Sequence, residues 1–148
     1  MSTGPLAEKH GSAKHPERQP FHPRPAGVDD STVEALGKLS EALEVVEHAR
    51  GLLYGFHRLC GTADLTLQEA IEMLRQAGHQ ALADDIDNTL VGRDIALETW
   101  SFQLVEAYDA GYWDVFRDVE RHARQELGVP SRHVYEAEMK VGEQSPGQ

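Results

Sequence analysis

The chain has 148 residues and a formal net charge of −11, from 14 Lys and Arg against 25 Asp and Glu. That length suits about one domain. An acidic body repels phosphate backbones, so no nucleic-acid partner is expected; no apolar run approaches the roughly 18 residues of a membrane span; and a single cysteine, Cys60, allows no internal disulfide.

Residues 1–28 hold five of the seven prolines, three of the eight histidines and almost no large apolar side chains. Over residues 1–26, Lys9, Lys14, Arg18 and Arg24 outweigh Glu8 and Glu17, so the arm is basic and the rest more acidic than the total. Such a segment cannot bury enough surface to offset its ordering entropy, and a disordered arm is expected over 1–28. It has no apolar stretch of signal-peptide length, which points to a cytoplasmic protein.

A helical domain is expected over 29–128. Its first helix should begin near Asp30 or Ser31, both good N-cap types, with Leu36, Leu39, Leu43 and Val46 at spacings of three and four. The pattern runs through Ala49, Leu53, Phe56 and Cys60 to Gly61, giving a long helix over about 31–60. A second helix opens on a capping box, Thr66 with Glu69, carries Leu67, Ile71 and Leu74, and ends at Gly78. A third, over about 79–109, carries Leu82, Ile86, Leu90, Leu97, Trp100, Leu104 and Tyr108 on one stripe if Gly92 is tolerated, and is otherwise two helices broken near Gly92. A fourth follows Gly111, with Val115, Phe116, Val119, Ala123 and Leu127, and stops at Gly128 and Pro130. No strand–helix alternation appears. The fold class is all-α, a small bundle of two long and two shorter helices.

The tail over 129–148 contains an alternation: Tyr135, Ala137, Met139 and Val141 interleave with Glu136, Glu138 and Lys140. Period two is a strand pattern, and a lone strand needs a partner. Residues 131–141 are therefore expected either to dock, on the bundle or on another protein, or to form only a short helix or coil.

The first long helix carries an anomaly. The face set by Leu36, Leu39, Leu43 and Val46 continues into Arg50, Tyr54 and His57, with Glu47 beside it. A new apolar arc, Ala49, Leu52, Leu53, Phe56, Leu59 and Cys60, opens roughly 100° away. In the third helix Arg93 sits between Leu90 and Leu97, where a charge must be paired or hydrated, with Glu47, Asp94 or Glu98 as candidate partners. Either the helix turns this stripe to water, or Glu47, Arg50, Tyr54, His57 and Arg93 line a polar pocket or buried network, where Arg could fork an anion. Gly51 and Gly55 are spaced to admit a neighbouring backbone. Val91, Ile95 and Phe102 lie off the main stripe of the third helix and suggest a homodimer interface, with Tyr135 and Met139 as further contacts.

Neither metal nor cofactor is expected. No Glu-x-x-His pair, Gly-rich phosphate loop or nucleophile elbow is present. Asp118, His122 and Glu126 share a helix face, more simply as a solvated charged surface than as a metal site. Glu41/Glu44 and Glu69/Glu72 form two Glu-x-x-Glu pairs, and this spacing resembles the all-α nucleotide pyrophosphatases, although that family usually has Asp where this chain has Glu72. The resemblance implies Mg²⁺ held between facing carboxylates. The first expectation is a non-enzymatic helical interaction or regulatory protein, homodimeric and with an unknown protein partner. The alternative is a small-molecule-binding or metal-dependent enzyme that uses the polar cluster.

Overall fold

The computed structural model describes residues 22–144. They form five α-helices: α1 Asp30–Gln76, α2 Gln80–Leu90, α3 Ser101–Tyr108, α4 Asp114–Glu126 and α5 Val134–Glu143. A π-helical turn, Asp109–Trp113, joins α3 to α4 without leaving helical backbone. The fold is all-α; the only β pairing among the described residues is a single bridge between Ala96 and Thr99. None of the described helices is long and apolar enough to cross a membrane.

The organising element is α1. Its 47 residues make a rod about 70 Å long. Asp29 caps its start, accepting from the Thr32 N–H at 2.8 Å. Its end is a Schellman motif: Gly78, at φ +89, donates to Arg75 O and His79 donates to Leu74 O. The chain then turns and runs back along the rod. From α2 to α4 it forms a returning arm packed on one side of α1.

The expected break at Gly61 is absent. The apolar positions Val46, Leu53, Cys60, Leu67 and Leu74 recur every seven residues straight through it, so an unbroken helix keeps all of them against the arm. One helical glycine costs about 1 kcal/mol, less than the packing that continues on both sides. The long helix expected over 79–109 is instead interrupted. Gly92 adopts φ +69, α2 ends at Leu90, and residues 91–100 form a connection whose tip holds Leu97 and Glu98, the latter at φ +50. The expected break at Gly111 is a π-turn within continuous helix. Gly128, at φ +68, ends α4 in a second Schellman motif, with Val129 N–H on Arg124 O at 2.9 Å.

The tail packs as a helix. Val134 of α5 and Val129 are buried against Val33 and Leu36, with Val28 and Ala123 at the edge. Arg24 forks Glu138 through two 3.0 Å bonds and also pairs with Asp30. Of the alternatives open for residues 131–141, the segment forms a short helix docked on the bundle rather than a strand, because the helix lets Val134 face the core while Glu138, one turn on, reaches Arg24. The expected disordered arm lies outside the described residues as far as residue 21.

Beside this core Ser40, Glu120 and Arg124 form a buried polar knot. Ser40 Oγ donates to Glu120 Oε1 at 2.7 Å, Arg124 Nε donates to the same oxygen at 2.5 Å, and Arg124 also reaches Ser40 Oγ and, at 2.7 Å, Ser131 O. Burial pushes the Glu120 carboxyl up; the bonds from Ser40 and Arg124, with the Arg124 and Arg132 charges, outweigh this and hold it below the ordinary value.

Candidate functional site

Along α1 the residues facing the arm recur every seven: Leu36, Leu43, Arg50, His57, Asp64 and Ile71. The ends of this series are buried and apolar; its middle is polar, and the arm meets it with polar groups. Arg50, His57 and Asp64 are partly covered there, while Tyr54 and Arg93 stand open to water.

Arg50 meets the π-turn. Its Nε and a terminal nitrogen donate to the two Asp109 carboxylate oxygens at 2.6 and 2.9 Å. Its guanidinium lies 3.9 Å from the Trp113 ring centre and 4.8 Å from that of Tyr54. The bond to Asp109 raises the Arg50 pKa, and the same bond lowers that of Asp109. Tyr108 donates to Val46 O at 2.9 Å, and burial pushes its phenol up. The wider π-turn places Asp109 and Trp113 around one guanidinium. With both carboxylate oxygens engaged and an aromatic face against it, Arg50 is committed to the fold.

Farther along, a cleft of about 400 Å³ opens between α1 and the 91–102 segment. Its apolar wall is Leu65, Ile95, Trp100 and Phe102, and its polar lining includes His57, Asp64, Arg93 and Ser101. His57 Nδ1 and Ser101 Oγ are 2.8 Å apart. The Gly92 N–H points to Asp64 at 3.5 Å. Gln103 accepts from the Trp100 N–H at 2.7 Å and so fixes the start of α3 beside the cleft. A larger groove of about 870 Å³ lies between the N-terminal half of α1 and α5, and its two cations are both paired within its own walls, Arg24 with Glu138 and Lys38 with Glu41.

The five stripe residues thus divide. Arg50 and Tyr54 share the π-turn cluster; His57 and Arg93 line the cleft; Glu47 is half-buried just before Arg50. Arg93 is exposed and donates to Thr89 O at 3.4 Å, and among the described residues it forms no ion pair with Glu47, Asp94 or Glu98. Gly51 and Gly55 face open space, so no backbone approaches them. Of the interface candidates, Val91 and Ile95 lie on the connection, Phe102 on α3, and Tyr135 and Met139 on α5, so they form no single helix face. Glu41/Glu44 and Glu69/Glu72 lie on the same helix about 40 Å apart and do not face each other. Asp118 pairs with Arg121, and His122 lies 3.9 Å from Glu126, all on the surface. Among the described residues no three His, Cys, Asp or Glu converge as a metal site.

Sequence reasoning missed Asp109, Trp113 and Ser101. The only trace was the seven-residue series itself, which required polar partners without naming them.

No protein family, curated protein or solved structure matches the chain.

Proposed function

We propose that the chain is a non-enzymatic helical interaction protein that acts as a homodimer. One observation carries the reading: the apolar surface is left mostly outside. Leu52, Leu59 and Met73 on α1, Leu97 and Trp100 on the connection, and Val119 on α4 all stand more than half exposed, whereas the largest fully buried side chains are Leu43 and Val129. A thin core with this much exposed apolar surface is the signature of a protein that completes its burial against another. Arg50 supports the same view, since its charge is already matched by Asp109. Light scattering on the full chain tests it. A dimer mass at micromolar concentration is expected, and a monomer mass at every accessible concentration contradicts it.

A second reading rests on the cleft. Its volume falls within the roughly 300–1,000 Å³ of small-molecule sites, and an apolar wall with a few polar groups is the usual lining. On this reading a small apolar ring system stacks on Trp100 with a polar edge toward His57 and Arg93. Native mass spectrometry should then find a bound molecule that Trp100→Ala loses; a mass equal to the bare chain contradicts it.

A further inference from the structure

The outward face of α1 has its own order. From Ala42 to Met73 the steps alternate three and four. Val45, Leu52, Leu59, Thr66 and Met73 form one set, spaced by seven; Ala42, Ala49, Phe56, Ala63 and Ala70 form the other. Every member of both sets is exposed. The stripe lies about 130° around the helix from the Leu43–Arg50–His57 face that meets the arm. A sustained three–four repeat with apolar residues is the pattern of a coiled-coil seam, and here the seam runs about 46 Å with nothing on it among the described residues.

We propose that a second copy of α1 covers this seam, antiparallel, with the two-fold axis passing between residues 57 and 58; the proposal rests on the homodimer reading above. Three features select this occupant and direction. The first is size. Large residues dominate one set and alanines the other. In an antiparallel pair each layer joins one set to the other, so Val45 meets Ala70 of the partner subunit, Leu52 meets Ala63 of the partner subunit, and Met73 meets Ala42 of the partner subunit. The one large–large layer, Phe56 on Leu59 of the partner subunit, falls at the axis. A parallel pair would stack alanine on alanine and leave voids.

The second is charge. Glu41, His48 and Glu69 flank the seam. A parallel pair sets Glu41 beside Val46 of the partner subunit and Glu69 beside Leu74 of the partner subunit, with no polar partner for either carboxylate. The antiparallel pair sets Glu69 beside His48 of the partner subunit and Glu41 beside Gln76 of the partner subunit. The third is extent. The seam and its flanks supply about twenty residues from each copy, near the 20–30 a side of a standard interface. Residues 1–21 and 145–148 offer only Met1, Leu6 and Phe21 as large apolar side chains, too few to match ten seam positions.

Disulfide trapping tests the register in the full chain with Cys60→Ser as background. Leu52→Cys and Ala63→Cys proteins are mixed, oxidised and run without reductant, with light scattering on the same samples. The mixture is expected to yield a cross-linked heterodimer, while Leu52→Cys alone does not, since its two copies sit about 16 Å apart along the axis. Efficient self-linking of Leu52→Cys overturns the antiparallel direction. A dimer mass with no cross-link in any sample overturns the seam and leaves the homodimer reading standing. A monomer mass overturns the homodimer reading itself, and the pairing with it.

Discussion

Arg50 and Asp109 stand 59 residues apart in the chain and meet through two hydrogen bonds of 2.6 and 2.9 Å, about three-quarters buried on both sides. This pair ties the middle of α1 to the π-turn. Arg50→Ala would leave Asp109 with an unmet charge in a half-dry setting, at a cost of about 1–3 kcal/mol. Arg93→Ala removes an exposed side chain, and its cost should stay within about 0.5 kcal/mol. Urea melts of the two variants check the contrast, and equal losses would contradict it.

Of the three described carboxyls held below their ordinary values, two tie distant elements together and bear on acid stability. Asp109 and Glu120 are both held below their ordinary values, Asp109 chiefly by the Arg50 bond and Glu120 by bonds and charges that overcome its burial. A depressed carboxyl stabilises the fold above its unfolded value and loses that contribution as pH falls through the folded one. Stability should therefore hold at neutral pH and decline below about pH 4. Glu120→Gln leaves Arg124 buried without its counter-charge, and should cost about 3–5 kcal/mol at pH 7 while flattening the acid decline. Urea melts at pH 3, 5 and 7 measure both effects; an acid decline as steep as that of the native chain would contradict the assignment.

Continuity of α1 through Gly61 gives a test of opposite sign. Gly61 is helical, and a methyl there meets nothing within 4 Å. Gly61→Ala should raise stability by about 0.5–1 kcal/mol. A loss in the thermal or urea midpoint would mean that Gly61 ends a helix in a left-handed turn.

The tail is part of the fold. A chain ending at Gly128 loses Val129 and Val134, uncovers Val33 and Leu36, and frees Arg24 from Glu138. Burial of an apolar side chain contributes about 1.5–3 kcal/mol, so the melting temperature should fall by about 10 °C. An unchanged midpoint would show that α5 does not hold the core.

What could be read from sequence was what the local backbone decides. Asp30 and Ser31 mark a helix start one or two residues past the observed Asp29 cap, and Gly78 and Gly128 mark ends, because caps and left-handed turns depend on a few adjacent residues. Thr66 and Glu69 look the same inside a helix as at its start, so the capping box misled, while the seven-residue series through Cys60 and Leu67 held the better signal. The alternation of residues 135–141 was too short to decide between periods, and Val134 and Glu138 chose the helix through partners far away in sequence. The polar stripe of Arg50, Tyr54 and His57 was legible as a misplaced set of charges. Its partners were not, because Asp109 and Ser101 reach it only through the turn at Gly78, the break at Gly92 and the π-turn.

The exposed face of α1 is the proposed interface. Sedimentation equilibrium of the native chain beside Leu59→Glu bears on it most directly. Leu59 is 69% exposed in the single chain, so the charge should leave the helix content of the folded chain intact, while the melting midpoint falls as association is lost. At the centre of the seam it should weaken association by about thirtyfold or more. A dimer for the native chain and a monomer for the variant are expected at the same micromolar concentration; the same mass for both would contradict an interface on α1.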